Sequence, residues 1–356
     1  MKKSLIVFCM LMCGALTLSG AGNNIKNNAA GKGVKRMFFV NKMLEEVSKT
    51  DYPLTREADF DDFWSKAVKA VEAHDPRLEI KEAENVPYRY LKVYDLTAYA
   101  LDGTALKAWL YVPAEASEKN KFPGAIFFHG GNGSRGDQPM GGTNYALCGC
   151  VVLQTEFRLQ GGITSSNTPM QRGILKGSWA TNNLHSPDPA DNYFYHAFTD
   201  QLIWTKLMFK LGMVNPQKVA VFGASQGGGT SLIMAALEPR IALCMPSVPS
   251  YCCWERRIFT RTASGGDIAK YIERFPEKME QVFRVMSYFD ALNMADKIKC
   301  PVKMQVSLRD AAAPADCAFA AYNKITAPKS VKVNCFGEHG DVDLWQWLQD
   351  LKEFCK

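Results

Sequence analysis

Apolar residues fall along the chain in short continuous runs, most of which are followed by a turn and a helical pattern. The runs are Ala125–Phe128, Cys150–Thr155, Val219–Phe222, Ile241–Val248, Val302–Val306 and Val331–Phe336. The helical patterns are Phe198–Leu211, Thr230–Leu237, Phe283–Ala295 and Ala315–Lys324. Continuous apolar strands that alternate with helices are typical of a mostly parallel sheet covered by helices on both faces. The sequence therefore predicts an α/β fold.

Three further patterns precede the first of these runs. Ala58–Ala73 has apolar positions three and four apart, which predicts an amphipathic helix. Tyr88–Ala100 and Ala105–Val112 alternate apolar and polar residues around a short turn, so they predict a hairpin at the antiparallel edge of the sheet. A helical pattern near Met43–Val47 adds an N-terminal helical extension.

The amino terminus has the pattern of a signal peptide. Lys2 and Lys3 precede the apolar segment Leu5–Leu18, and a small-residue site ends at Ala21. The segment is too short to span a bilayer, and this order is typical of export signals. We expect cleavage after Ala21, so residues 1–21 are the signal peptide and residues 22–356 form a single domain. The mature protein would be periplasmic or secreted.

Composition narrows the class of protein. Hydrophobic residues make up 47% of the 356 residues and charged residues 22%, which excludes a disordered chain. The net charge of +6 is scattered, so we expect no nucleic-acid partner. Neither Cys9 nor Cys13 follows the small residue that a lipid-anchor site requires, so we expect no membrane anchor. Residues 160–195 are rich in polar residues and lack periodicity, which is typical of a functional loop.

The cysteines predict neither a metal site nor full pairing. Two of the eleven would leave with the signal peptide, and nine is an odd number. No pair has zinc-ligand spacing, since Cys148 and Cys150 are too close together and Cys252 and Cys253 are adjacent. Many of the cysteines adjoin apolar runs and are expected to be small core residues.

A nucleophile motif follows the run Val219–Phe222. Residues 223–227 read Gly-Ala-Ser-Gln-Gly and lead into a helical pattern. A GxSxG sequence between a strand and a helix is typical of the nucleophile elbow of α/β-hydrolases. Ser225 is then the nucleophile, Gly223 and Gly227 allow the sharp turn, and the backbone N–H of Gln226 faces the oxyanion.

The order of residues along the chain selects the base and the acid. In α/β-hydrolases the triad runs serine, acid, histidine, and His339 is the only histidine after Ser225. Asp310 lies just past the predicted strand Val302–Leu308 and is the best-supported acid. The other acids considered have less support, and they are Asp267, Asp290, Asp296, Asp316 and Glu338. In this scheme His339 moves the proton of Ser225, and Asp310 holds the imidazole.

A glycine-rich loop follows the run Ala125–Phe128. Residues 129–133 read His-Gly-Gly-Asn-Gly, the type of loop that supplies the second oxyanion N–H. We assign that N–H to Gly131 and expect His129 to be structural. Hydrolysis by such a site needs no metal and no organic cofactor.

Several separated segments resemble the acetyl xylan esterase / cephalosporin C deacetylase family of α/β-hydrolases. The resemblance rests on residues 58–69, 128–136, 158–161, 223–240 and 318–326 and on the region of His339. It implies a serine esterase that removes acetyl groups from xylan, xylo-oligosaccharides or other small acetyl esters. It also implies a supporting role for Arg158 and Gln160 and a tendency to form homo-oligomers, as hexamers.

The chain departs from the family pattern at four places. Gly131 stands where the family usually has tyrosine, and Leu159 replaces the glycine of an Arg-Gly-Gln motif. Ala311 begins an alanine run that replaces bulkier polar residues, and Gly340 replaces glutamate. We expect these changes to affect the substrate range and to leave the triad intact.

Two other functions remain open at this point. A peptidase of the same fold usually needs an extra domain or an acidic pair that anchors the substrate amine. A non-catalytic carbohydrate-binding protein could use tryptophans such as Trp109, Trp179 and Trp345 to stack on sugars, although the triad argues against it. The sequence therefore favours an exported carbohydrate O-acetyl esterase whose substrate is a small acetylated carbohydrate or another ester.

Overall fold

A computed structural model describes residues 16–19, 37–169 and 178–356. Within these ranges the strands form one ten-stranded sheet in the order β1-β10-β9-β8-β7-β5-β6-β4-β3-β2. The strands are β1 Leu16–Ser19, β2 Glu79–Glu82, β3 Leu91–Tyr99, β4 Ala105–Pro113, β5 Phe122–Phe128, β6 Val151–Thr155, β7 Val214–Ala224, β8 Leu243–Ser247, β9 Val302–Ser307 and β10 Lys329–Asn334. Each of the six predicted apolar runs overlaps one of the strands β5 to β10, although three of the runs extend one or two residues beyond the strand.

The middle of the sheet is parallel and both edges are antiparallel. Strands β5 to β10 pair in parallel, with β5 between β6 and β7. The predicted hairpin is present as β3 and β4, and β4 pairs with β6 in antiparallel register. The predicted fold class is confirmed. The outermost strand on this side is β2, which the sequence patterns did not predict.

Helices connect most of the strands. They are α1 Phe38–Ser48, α2 Phe60–Ala73, α3 Thr143–Ala146, α4 Tyr193–Met208, α5 Gln226–Leu237, α6 Trp254–Phe259, α7 Ser264–Arg274, α8 Met279–Ser287, α9 Ala315–Lys324 and α10 Leu344–Phe354. The helix predicted over Phe283–Ala295 is wrong as a single element. Helix α8 ends at Ser287, and a separate 3-10 helix, Ala291–Lys297, begins after Asp290, whose side chain accepts from the Leu292 N–H.

The two faces of the sheet pack against different helices. Val219 and Val221 of β7 belong to the larger hydrophobic core, which contains residues of α2, α4, α5 and α9. Ala220 and Phe222 face the opposite side, where a smaller core includes Trp347 of α10. Since alternate residues of one strand are buried on both faces, β7 has the continuous apolar pattern of a central parallel strand.

Most of the predicted signal peptide lies outside the described residues. Only Leu16–Ser19 are described, as strand β1, which pairs with β10 in antiparallel register at the end of the sheet. None of the helices in the described part of the chain combines the length and apolar character that a bilayer-spanning helix needs.

Candidate active site

Ser225 lies in a strained turn between β7 and α5. Its backbone has φ 56° and ψ −119°, a conformation that costs a non-glycine residue about 1–3 kcal/mol. Hydrogen bonds hold it there, because its N–H donates to the Ser247 carbonyl and its own carbonyl accepts from the Ser250 N–H. The turn places the hydroxyl beyond the carboxyl end of the sheet, as a nucleophile elbow does.

The two glycines of the motif are required by close packing against β5. A Cβ atom on Gly223 would lie 2.4 Å from the Phe128 carbonyl oxygen, and one on Gly227 would lie 2.0 Å from the same atom. Both positions therefore let α5 and β7 approach the carbonyl end of β5. The motif has glycine on both sides of Ser225 because both positions contact the same carbonyl oxygen of β5. The sequence alone does not contain this distance.

His339 and Asp310 complete one hydrogen-bonded chain with Ser225. The Ser225 Oγ lies 2.8 Å from His339 Nε2. On the other side of the ring, His339 Nδ1 lies 2.7 Å from Asp310 Oδ2 and 2.9 Å from Oδ1. The three residues come from the loops after β7, β9 and β10, whose carboxyl ends meet at one edge of the sheet. The structure thus brings together the three residues that the sequence order selected.

Backbone groups fix the carboxylate of Asp310. Its Oδ1 accepts from the N–H groups of Ala312 and Ala313, both at 2.8 Å, and its side chain is fully buried. The alanine run at 311–313 therefore binds the acid through its backbone, which alanine supplies as well as a bulkier residue. This departure from the family pattern leaves the acid in place.

The alternative acids have other partners. Glu338 is exposed and its Oε1 accepts from Arg309 at 2.8 Å, and Asp267 accepts from Ser178. Asp290 is buried beneath the 3-10 helix and accepts from three backbone N–H groups. Asp296 pairs with Arg56 and Asp316 with Arg256. Asp310 is the carboxylate that hydrogen-bonds to His339.

Gln226 and Gly131 lie on either side of the space in front of Ser225. Gln226 is the first residue of α5, so its N–H has no acceptor within the helix and lies at the positive end of the helix dipole. Gly131 lines the same cavity as Ser225 and Gln226. The two predicted oxyanion residues are therefore both at the cavity wall.

The side chain of Gln160 ties these two elements together. Its Oε1 accepts from the Asn132 N–H at 2.9 Å, next to Gly131 in the chain. Its amide also pairs reciprocally with the amide of Gln226, at 2.9 and 3.1 Å. The supporting role implied for Gln160 has a physical basis in these bonds, because one side chain sets the distance between the glycine loop and α5.

Arg158 supports the cavity indirectly, through the backbone that carries Gln160. Its buried guanidinium pairs with Asp200 at 2.7 Å and with Asp102 at 2.8 Å. Burial would raise the pKa of Asp102, but hydrogen bonds from Arg158 and Thr168 hold that pKa well below its usual range. The ion pairs fix the backbone on which Gln160 stands.

Leu159 stands between them in a left-handed conformation with φ 60°. This backbone favours glycine, the residue that the resembled family carries there, because the leucine Cβ crowds the following carbonyl.

His129 is a structural residue of the glycine loop. It is buried, its Nε2 accepts from the Phe157 N–H at 3.1 Å, and its Nδ1 donates to the Gly130 carbonyl at 2.7 Å. Since both ring nitrogens are used by the backbone, the neutral tautomer with the proton on Nδ1 is fixed, and burial lowers the pKa of the ring. This matches the role expected from the sequence.

The cavity in front of Ser225 has a volume of about 550 Å³. Its wall includes residues of the predicted functional loop, among them Trp179, whose Nε1 donates to Asn132 Oδ1 at 2.7 Å. Among the described residues, a Cβ atom on Gly131 would come within 4 Å of the Trp179 ring alone, at 3.8 Å. The space left by the missing tyrosine is therefore partly bounded by Trp179, a site residue that the sequence did not single out from the other tryptophans.

Arg257 of α6 was also missed by the sequence. It lines the cavity with Ser225 and His339 and is almost completely buried. Nothing in the local pattern of α6 indicates that one of its two adjacent arginines points inward.

Across the described ranges, no group of three His, Cys, Asp or Glu side chains is arranged to hold a metal ion.

Comparison with known proteins gives consistent results. Residues 37–355 match the family model Acetyl xylan esterase (AXE1). The chain is 26% identical over 313 residues to the acetyl esterase Axe7A of Xylanibacter ruminicola, covering 82% of this chain and 66% of that protein. The chain thus spans slightly less than two thirds of the length of this curated relative.

Two solved structures are similar over nearly their whole length. The acetyl xylan esterase from Paenibacillus sp. R4 matches with a TM-score of 0.83 and 29% identity, over 88% of this chain and 99% of that chain. Acetyl xylan esterase 1 from Thermoanaerobacterium sp. JW/SL YS485 matches with a TM-score of 0.80, the same identity and the same coverage. Together with the family match, these findings confirm the resemblance predicted from the sequence. The chain belongs to the acetyl xylan esterase family, a family of carboxylic ester hydrolases with the α/β-hydrolase fold.

Proposed function

We propose that the protein is a serine esterase that removes O-acetyl groups from carbohydrates through an acetyl-serine intermediate. The observation that carries the proposal is the chain of hydrogen bonds from Ser225 through His339 to Asp310 at the wall of an open cavity. Family membership supports the acetyl ester as the reacting group.

In the first half of the reaction, Ser225 Oγ attacks the acetyl carbonyl carbon while His339 Nε2 takes the hydroxyl proton. Asp310 stabilises the imidazolium that forms. The carbonyl oxygen becomes an oxyanion that accepts from the N–H groups of Gln226 and Gly131. The bond to the sugar oxygen then breaks, His339 returns the proton to that oxygen, and the deacetylated sugar leaves.

In the second half, water attacks the acetyl group on Ser225. His339 takes one proton of the water and returns it to the serine oxygen as the new tetrahedral intermediate collapses. Acetate is released and the hydroxyl of Ser225 is restored. The atoms balance with water as the only co-reactant, so these residues need no cofactor for the reaction.

The cavity supports a sugar-sized substrate. Its volume of about 550 Å³ is within the range of small-molecule sites. The indole of Trp179 lines it and offers a flat apolar surface, while Asn132 and Ser178 offer hydrogen bonds. This combination suits a pyranose ring, which has apolar faces and hydroxyl edges.

The test is hydrolysis of 4-nitrophenyl acetate and acetate release from acetylated xylo-oligosaccharides. We expect the purified protein to hydrolyse both, and Ser225→Ala to lose about 10⁴-fold or more in kcat. Ser231→Ala is the matched control, because this buried serine of α5 bonds only to the Gly227 carbonyl. A wild-type protein that cleaves neither ester, or that cleaves aminoacyl amides instead, would overturn the proposal.

We also propose that the protein is exported after cleavage at Ala21 and that it assembles as a homo-oligomer. Export is supported by the order of Lys2, Lys3 and the apolar segment, and oligomers by the family resemblance. Sequencing of the mature amino terminus tests the first proposal, and a start at Gly22 is expected. Native mass spectrometry tests the second, where a purely monomeric protein would contradict it.

A further inference from the structure

The guanidinium of Arg257 is buried and incompletely bonded. The residue is 1% exposed, and its Nη2 donates to the Ala312 carbonyl at 3.3 Å. Its Nε and Nη1 have no hydrogen-bond partner among the described residues. A buried donor without a partner is destabilising, and more so when it is charged, so these two N–H groups call for an acceptor.

No carboxylate of the described chain supplies that acceptor through an ion pair. The adjacent Arg256 pairs with Asp316 at 3.0 Å, whereas Arg257 has the Trp254 ring 5.0 Å away. Burial lowers the pKa of Arg257, although nearby groups, Asp290 among them, favour its charge. Arginine stays protonated in proteins even so, and the positive charge remains.

The two carboxylates nearest to the cavity are already engaged. Asp310 accepts from His339 and from two backbone N–H groups. Asp267 accepts from Ser178 and forms an ion pair with Lys270. Asp290 also acts on Arg257 electrostatically, but it forms no ion pair with it and accepts from three backbone N–H groups. The cavity that Arg257 shares with Ser225 and His339 gives a further anion access to it.

We propose that Arg257 binds a carboxylate carried by the alcohol part of the substrate. The inference rests on the proposed esterase function, which leaves no charged group on the acetyl part. Guanidinium is the side chain best matched to a carboxylate, because two N–H groups can bond to the two oxygens. The substrate class is then an acetylated sugar acid.

The test compares two substrates that differ in one group, an O-acetylated methyl glucuronoside and the corresponding glucuronamide. Charged hydrogen bonds in a buried site correspond to about tenfold or more in kcat/KM, so we expect the wild type to prefer the carboxylate by that factor. Arg257→Met should bring the ratio close to one, and Arg257→Lys should keep part of the preference. Arg256→Met, which alters the neighbouring arginine, should keep all of it.

A measurement on the wild type alone guards against a variant that does not fold. Methyl glucuronoside with a free carboxylate should inhibit 4-nitrophenyl acetate hydrolysis competitively, at least tenfold better than its amide. Equal kcat/KM for the two esters together with equal inhibition by the two sugars would overturn the carboxylate site and leave the esterase function standing. Failure to cleave 4-nitrophenyl acetate and acetylated xylo-oligosaccharides as well as these two esters would instead refute the proposed function.

A separate observation concerns two cysteines that are far apart in the chain but adjacent in the structure. The Sγ atoms of Cys150 and Cys355 lie 2.6 Å apart, whereas a disulfide bond measures about 2.0 Å. Cys150 is fully buried just before β6, and Cys355 is half-buried directly after α10. From this approach we infer that the pair is a site of disulfide formation that joins α10 to the sheet.

The order of reaction follows from exposure and acidity. The hydrogen bond from Cys150 lowers the pKa of the Cys355 thiol, and the same contact together with burial raises that of Cys150. The Cys355 thiolate attacks oxidised glutathione and releases one reduced glutathione. Cys150 then loses its proton, attacks the Cys355 sulfur of the mixed disulfide and releases the second reduced glutathione.

Intact mass spectrometry of the full chain after treatment with oxidised glutathione tests this pair. We expect a loss of about 2 Da and one linked peptide joining Cys150 to Cys355, with a higher Tm than the reduced protein. Cys355→Ser should abolish the linkage, and Cys148→Ser, at the neighbouring half-buried thiol, should keep it. An unchanged mass, or a linkage that involves Cys148, would overturn the inference.

Discussion

Gly227→Ala is the substitution that tests most sharply how the elbow depends on packing. The added Cβ would lie 2.0 Å from the Phe128 carbonyl oxygen, and real Cβ contacts essentially never fall below 3.0 Å. Helix α5 or β5 must therefore move by about 1 Å. Because the obstacle is backbone, no side-chain rotation can relieve the overlap. Overpacking of this kind costs about 1–3 kcal/mol of stability.

The same movement displaces the reacting groups. Gly227 is two residues from Ser225, and the first N–H of α5 belongs to Gln226. A misplacement of about 1 Å lowers the rate by about 100-fold, so we expect that loss in kcat for 4-nitrophenyl acetate. Gly340→Ala is the matched control, since a Cβ there would meet none of the described residues within 4 Å.

The assays are thermal unfolding and steady-state kinetics on both variants. We expect Gly227→Ala to lower the Tm by several degrees and kcat by about two orders of magnitude, and Gly340→Ala to change both little. If Gly227→Ala kept the wild-type kcat, the close approach of α5 to β5 would not be what positions the nucleophile, and the reasoning would fail.

The remaining predictions concern residues around the site. Leu159→Gly should raise the free energy of unfolding, measured by chemical denaturation, by about 1 kcal/mol because φ 60° strains leucine. An unchanged free energy of unfolding would contradict the strain. Gln160→Leu should lower kcat for acetate esters about tenfold or more, with a smaller change in KM, because the Asn132 N–H loses its acceptor. A change in KM alone would show that Gln160 does not position the glycine loop. Glu238→Gln should remove stability that is fully present above pH 4.5 and lost as pH falls towards 2. Burial would raise the pKa of Glu238, but bonds from Arg240 and Lys206 lower it to about 2. Because Arg240 is half-exposed, solvent screening limits the loss in free energy of unfolding to about 2 kcal/mol. Unfolding measured as a function of pH tests this, and a loss that does not depend on pH would contradict the ion pair as its cause.

The strands of the central sheet could be predicted because burial on both faces leaves a continuous apolar run. Strand β2 could not, since all four of its residues are exposed and its place is set by backbone pairing with β3. The break after α8 depends on Asp290, which accepts from N–H groups of α6 as well as from its own 3-10 helix. A local pattern does not contain that contact.

The triad residues were accessible to sequence reasoning because chain order and the small number of histidines left few candidates. The residues of the cavity wall could not be predicted in this way. Gln160 acts through Asn132 and Gln226, which lie far from it in the chain, and Trp179 resembles other tryptophans until it is placed beside Gly131. Among the described residues, the Nε and Nη1 of Arg257 have no hydrogen-bond partner, and this depends on contacts that form only in the folded chain.

Covalent labelling at Ser225 tests the central claim most directly. The wild type is treated with diisopropyl fluorophosphate, and the adduct is mapped by peptide mass spectrometry while hydrolysis of 4-nitrophenyl acetate is followed in parallel. We expect a single adduct on Ser225 that forms as activity disappears, and no adduct on Ser225→Ala. Loss of activity with the adduct on another residue, or full activity after Ser225 is labelled, would contradict it.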